Sequence, residues 1–215
     1  MTRQKIAYIT GSEPDTSIIK SRLAGQDYQL DVHICDSQGE IIEAIKGADI
    51  IINGSLEMPR EVIEEIDTAK AIVSFGHGFD RIDDEAATEK SVMVINTAGF
   101  CNEEVSNHVI LMLLACAKKL TLLNNTVKAG RWGVETRRAM SPMVSIDGQT
   151  LGLVALGNIA RATARKARVF GLDVIAYDPY VEPWTAKEYQ VRLVPSLEDL
   201  ASESDFVSLH TPLNN

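Results

Sequence analysis

Thr150-Leu-Gly-Leu-Val-Ala155-Leu-Gly157-Asn-Ile-Ala160 opens a stretch that runs through a helical segment to Asp173-Val-Ile-Ala-Tyr-Asp178-Pro179, and its reading decides the fold. Leu151 to Leu156 is a short apolar run that suits a parallel strand buried on both faces. Gly157 marks its end. From Ile159 to Phe170 the residues Ile159, Ala162, Thr163, Ala167 and Phe170 recur at helical spacing, with Arg161, Arg165, Lys166 and Arg168 on the other side. A second buried strand, Val174 to Tyr177, closes on Asp178. Strand, tight turn, helix start, second strand and acidic residue follow in the order that a dinucleotide site requires. The helix start offers free N–H groups and a positive dipole end to a pyrophosphate, and the acid lies within reach of ribose hydroxyls. Asp178 follows Gly157 by 21 residues, close to the interval such sites use.

The pattern departs from G-x-G-x-x-G, since its three positions are Ala155, Gly157 and Ala160. The middle glycine, which lets backbone approach phosphates, is present. Alanine at the third position still permits close packing of helix on strand. At the first position a tight turn is needed, and a Cβ crowds it. On the glycines alone, an ordinary βαβ unit without ligand is the competing reading; the flanking strands and Asp178 favour the dinucleotide.

Composition limits the function classes. The 215 residues suffice for one large or two small domains, and hydrophobic residues at 45% with charged residues at 24% are ordinary for a globular protein. A net charge of −9 and a pI near 5.0 argue against a nucleic-acid partner. Cys35, Cys101 and Cys116 are odd in number and lack C-x-x-C spacing, which points to reduced thiols and a cytoplasmic location. No metal site is expected. No signal peptide is apparent, and the longest apolar run, Val109 to Ala117, is too short to cross a membrane.

Along residues 5–96, β-rich runs alternate with helical ones: Lys5–Thr10, Thr16–Leu23, Leu30–Ile34, Glu40–Ile45, Ala48–Asn53, a helix begun by Pro59, Ala71–Phe75, Asp84–Lys90 and Val92–Asn96. That alternation gives a doubly wound parallel α/β sheet. Residues 1–102 are therefore read as one domain and residues 103–215 as a second. Ligands in such sheets bind beyond the carboxyl ends of the strands. There the loop Ser74-Phe-Gly76-His77-Gly78-Phe-Asp80 could turn N–H groups toward an anion, or simply expose a histidine. Asn102 is a plausible cap for the longest helix, in which His108 reads as a core histidine and the apolar middle implies burial between layers. The helix from Thr121 to Ala129 is followed by weakly periodic sequence to Gly148, rich in apolar residues such as Trp132, Met140 and Met143, which suits packing on another subunit.

Several motifs in order now resemble one family. Gly-His-Gly-Phe-Asp-Arg-Ile-Asp83, Glu-Glu-Val-Ser-Asn-His108, Gly-Gln-Thr-Leu-Gly152, Ala-Tyr-Asp-Pro-Tyr180 and Ser-Leu-His-Thr-Pro-Leu213 resemble the D-isomer-specific 2-hydroxyacid dehydrogenases. The similarity is to the branch of phosphoglycerate dehydrogenases and C-terminal-binding-protein co-repressors. It implies a flavodoxin-like N-terminal domain followed by the first half of a Rossmann domain. It further implies NAD as cofactor and a small 2-hydroxy or 2-keto acid as substrate, with no membrane partner. Gly76, His77 and Gly78 would hold the substrate carboxylate, with His77 also near the cofactor. Gly157, Asn158 and Ile159 would meet the pyrophosphate, Asp178 the adenosine ribose and Thr211 the far side of the cofactor. The segment 103–147 resembles a dimerisation arm, which implies a homodimer. The family's catalytic Arg, Glu and His fall beyond Asn215, so the resemblance assigns no catalytic residue here and implies an incomplete chain with negligible turnover. Two other readings stay open at this point: a non-catalytic dinucleotide-binding or interaction module of the co-repressor kind, and an inactive gene fragment.

Overall fold

The computed structural model describes residues 3–76 and 78–212. The chain divides into two compact units, Met1–Phe100 and Cys101–Asn215.

The first unit alternates β1 (Gln4–Thr10), α1 (Ser17–Arg22), β2 (Tyr28–Ile34), α2 (Gln38–Ile45), β3 (Ile50–Gly54), α3 (Arg60–Glu64), β4 (Ala71–Ser74), α4 (Asp84–Glu89) and β5 (Met93–Ile95). Its sheet is parallel, ordered β2-β1-β3-β4-β5, which is the flavodoxin-like arrangement. Alternate strand residues face opposite layers. Ile9, Ile51 and Ile72 pack with Ile41 and Ile45 of α2 and Val62 and Ile63 of α3, whereas Ile6, Tyr8 and Ile52 meet Ile19 of α1 and Leu23 at its end. Local chemistry starts the helices. Ser37 and Glu40 form a reciprocal capping box before α2, and the Asp83 carboxylate accepts from the Ala86 amide before α4.

The second unit begins with α5 (Asn102–Ala117), α6 (Leu120–Lys128) and α7 (Val134–Met140), followed by β6 (Thr150–Val154), α8 (Asn158–Val169), β7 (Asp173–Tyr177), α9 (Pro183–Glu188), β8 (Arg192–Leu193), α10 (Leu197–Glu203) and β9 (Phe206–Leu209). The parallel sheet has the order β8-β7-β6-β9, so the chain reverses direction across the sheet between β6 and β9. This is a Rossmann half with the next strand already in place. Helix α8 covers one face together with Ile110, Leu113 and Ala117 of α5. Charge ties the two helices at their edge: Glu103 pairs with Arg165 at 2.6 Å and Lys166 at 2.9 Å, and Lys166 also donates to the buried Ser106 hydroxyl at 2.6 Å.

Several sequence expectations need correction. The buried stripe of α8 is Ala160, Ala162, Thr163, Ala164 and Ala167; Ile159 is half-buried and Phe170 is 43% exposed, because close helix packing selects small residues over large ones. Asn102 is the first residue of α5, not its cap, which is Cys101, and its buried Oδ1 meets no donor among the described residues. His108 is exposed, and α5 buries one stripe only, leaving Leu111 and Met112 half exposed. The segment read as weakly periodic contains α7.

Candidate functional site

The register of the second sheet places its site. Val154 pairs with Tyr177 on one side and Leu209 on the other, so Ala155, Asp178 and His210 stand side by side just past three carboxyl strand ends. Ala155 has φ +73°, the left-handed conformation that the first glycine of the fingerprint would adopt without strain. The chain then passes through buried Leu156 to Gly157, the extended N-cap residue of α8. Among the described residues no acceptor meets the amides of Asn158, Ile159 or Ala160; the first bonded amide is Arg161, which donates to the Gly157 carbonyl at 2.9 Å. Three free amides on a twelve-residue helix therefore face the turn.

Asp178 closes the turn from the neighbouring strand. Its Oδ2 accepts from the Leu156 amide at 2.8 Å, and its Oδ1 accepts from the amides of Tyr180 at 2.9 Å and Val181 at 3.2 Å. A carboxylate has about four acceptor positions, so room remains for about one hydroxyl donor rather than a ribose pair. Gly157 supplies the fit test for a dinucleotide. A Cβ built there meets no heavy atom within 4 Å, and its φ of −71° suits any residue, so neither packing nor backbone geometry demands glycine. The cleared space and free amides fit a pyrophosphate lying against the turn.

Of the other residues expected here, Thr211 follows β9 and is exposed. The Asn158 side chain is already committed as an acceptor for Arg161. Sequence reasoning put Arg161 on the solvent side of α8. Its Nη1 instead donates to the Leu156 carbonyl at 3.1 Å. His210, which the sequence places in a family motif without a site role, donates its amide to the Val154 carbonyl at 2.9 Å, and its Nε2 is buried with no partner among the described residues. Burial pushes the pKa of this imidazole below its ordinary value of 6.5. A histidine one residue past an apolar strand was the available sequence signal.

The first unit holds the second group of expected residues. His77 lies outside the described residues. Around it, the Thr97 hydroxyl donates to the Gly76 carbonyl at 2.7 Å and the Thr97 amide to the same oxygen at 3.1 Å. The buried Ser74 hydroxyl donates to the Gly78 carbonyl at 2.7 Å. Both loop carbonyls are thus held internally, while no described acceptor meets the Gly76 or Gly78 amide. An anion could use amides left in this state.

Residues 110–215 match the family described as D-isomer specific 2-hydroxyacid dehydrogenase, NAD binding domain. This part of the chain belongs to the NAD-binding domain of the D-isomer-specific 2-hydroxyacid dehydrogenases. The chain is 34% identical over 175 residues to D-3-phosphoglycerate dehydrogenase of Methanocaldococcus jannaschii, covering 81% of this chain and 33% of that protein. It is 31% identical over 210 residues to glyoxylate reductase of Korarchaeum cryptofilum, covering 96% of this chain and 62% of the other. The chain thus spans from a third to about three-fifths of the length of these relatives. A glyoxylate reductase structure from Paecilomyes thermophila has the same fold, with a TM-score of 0.86 at 23% identity over 100% of this chain and 66% of the other. The turn at Ala155–Gly157 accordingly belongs to an NAD-binding domain.

Proposed function

We propose that the chain serves an NAD-dependent oxidoreductase interconverting a D-2-hydroxy acid and its 2-keto acid, with residues 103–215 holding the dinucleotide and residues 1–102 the acid. The observation that carries this reading is the row of free amides beside open space at Gly157, closed by Asp178. Gly157, Asn158 and Ile159 would meet the pyrophosphate, Asp178 one ribose hydroxyl, and Thr211 the far part of the cofactor. The negative charge of Asp178 disfavours a 2′-phosphate, so NAD is preferred to NADP. When bound, the nicotinamide supplies or accepts the hydride. The chain's own residues bind and orient: the amides of Gly76 and Gly78 would take the substrate carboxylate, with His77 alongside.

The hydroxyls of Ser74 and Thr97 support this reading, because they occupy the loop carbonyls that would otherwise repel an anion. Ser74 is buried and turned to the loop backbone, so it adds no cation for a phosphate. A small unphosphorylated acid such as glyoxylate or hydroxypyruvate is therefore the proposed substrate class. The exposed apolar residues of α5 to α7, among them Leu111, Met112, Leu122 and Trp132, support a homodimer formed through this arm. The three unpaired cysteines support a cytoplasmic setting.

Calorimetric titration of the 215-residue chain with NADH and NADPH tests the cofactor assignment. NADH should bind and NADPH should bind more weakly; absence of NADH binding would overturn the assignment.

A further inference from the structure

We propose that Arg161 is a positioning residue for the cofactor-binding turn, gripping it so that alanine can occupy the left-handed first position of the fingerprint. The proposal rests on the NAD-binding reading of this turn and concerns how the turn is held. Leu156 lies between the strained Ala155 and the N-cap Gly157, and side chains of opposite charge hold both of its backbone groups. Its amide donates to Asp178 Oδ2 at 2.8 Å, while its carbonyl accepts from Arg161 Nη1 at 3.1 Å. Arg161 Nη2 also donates to Asn158 Oδ1, which ties the first helical residue to the same guanidinium. The guanidinium carbon lies 5.6 Å from the centroid of the Tyr189 ring, within cation–π range, a contact that limits the swing of a long side chain. The planar fork can therefore bond two acceptors in the turn while its charge lies over the ring.

This arrangement compensates for a specific defect. Alanine at φ +73° favours relaxation to a negative φ, which would rotate the next peptide and re-aim the amides that follow. Fixing the Leu156 amide from one side and its carbonyl from the other opposes that rotation. With glycine at position 155 the left-handed conformation costs little, and the grip becomes less necessary.

The dependence can be measured on the 215-residue chain as a double-mutant cycle of Arg161→Met and Ala155→Gly, read by NADH calorimetry. Arg161→Met should weaken NADH binding about five- to tenfold, a loss on the scale of one ordinary hydrogen bond. In the Ala155→Gly background the loss should shrink to about twofold or less. Arg161→Lys should leave most of the loss, because an ammonium keeps the charge but not the planar fork. Equal losses in both backgrounds, wild-type affinity in Arg161→Met, or full rescue by lysine would each overturn the proposal. The second readout is the amide spectrum without NADH. Leu156 and Gly157 resonances should move in Arg161→Met and return toward the wild-type pattern in the double variant; unmoved resonances would overturn the proposal. If the wild-type chain binds no NADH, the cofactor reading falls, and the amide spectra still decide whether Arg161 sets the turn.

Discussion

Ala155 and Ala160 both stand where the fingerprint has glycine, yet they have opposite physical consequences. Ala155 is left-handed, so Ala155→Gly should raise stability by about 0.5 to 1 kcal/mol, the relieved strain being partly offset by the extra freedom of glycine in the unfolded chain. Ala160 is fully buried within α8, so Ala160→Gly should lower stability by about 1 kcal/mol. Urea unfolding of the two single variants checks both signs; stabilisation by both changes would refute the distinction. His210 makes a prediction in pH. Its imidazole is harder to protonate in the folded chain than in the unfolded one, because burial penalises the charged form. Its contribution to stability is therefore complete above about pH 6.5, falls as pH drops below that value, and levels off once pH passes the lower folded-state pKa. Replacing His210 with Asn should flatten the stability profile between about pH 7 and pH 5. An unchanged slope would show that another group governs it.

At the scale of elements, the sheet of the second unit depends on a glycine outside the fingerprint. Gly152 in β6 lies under α10, where an added Cβ would come within 2.8 Å of Leu200 Cδ2 and closer still to Ser204 Oγ. Gly152→Ala should therefore cost about 1 to 3 kcal/mol by pushing α10 off the sheet, measured as a lower thermal midpoint. Wild-type stability in that variant would mean that Ser204 and Leu200 swing aside freely. The sequence made the alternation of strand and helix legible because apolar runs of Val, Ile and Leu are distinctive, and it made Asp178 legible because its spacing from Gly157 is fixed by one helix and one strand. The buried face of α8 was less legible. Five small residues form it, and alanine carries too little hydrophobic signal to mark a stripe against Ile159 and Phe170. Arg161 was misplaced for a related reason: helical periodicity reports the side of a helix, whereas the Leu156 carbonyl in the turn before α8 and the Tyr189 ring, a tertiary neighbour, are what hold this residue. Likewise, α5 is apolar nearly all round in sequence, yet it buries a single stripe that includes Ile110, Leu113 and Ala117.

At the scale of the molecule, that exposed remainder of α5 becomes the argument for assembly. Leu111 at 54% and Met112 at 52% exposure lie on α5, Leu122 at 50% on α6, and Trp132 at 79% precedes α7. Single exposed apolar residues are ordinary, but several on consecutive helices of one unit are what the proposed homodimer would cover. A net charge of −9 opposes indiscriminate association of like chains, so a closed self-contact must be specific enough to overcome it. A twofold interface meets that demand, since each apolar residue is used twice by the same contact. Sedimentation of the wild-type chain at micromolar concentration should therefore show a dimer, and Leu111→Glu combined with Leu122→Glu should shift it to monomer. Because both positions are exposed, the pair should leave the thermal midpoint of the separated monomer and its NADH affinity near those of wild type. A wild-type monomer, or a dimer untouched by the two glutamates, would place the contact elsewhere or remove it; loss of NADH binding along with the dimer would show that the arm also supports the cofactor turn.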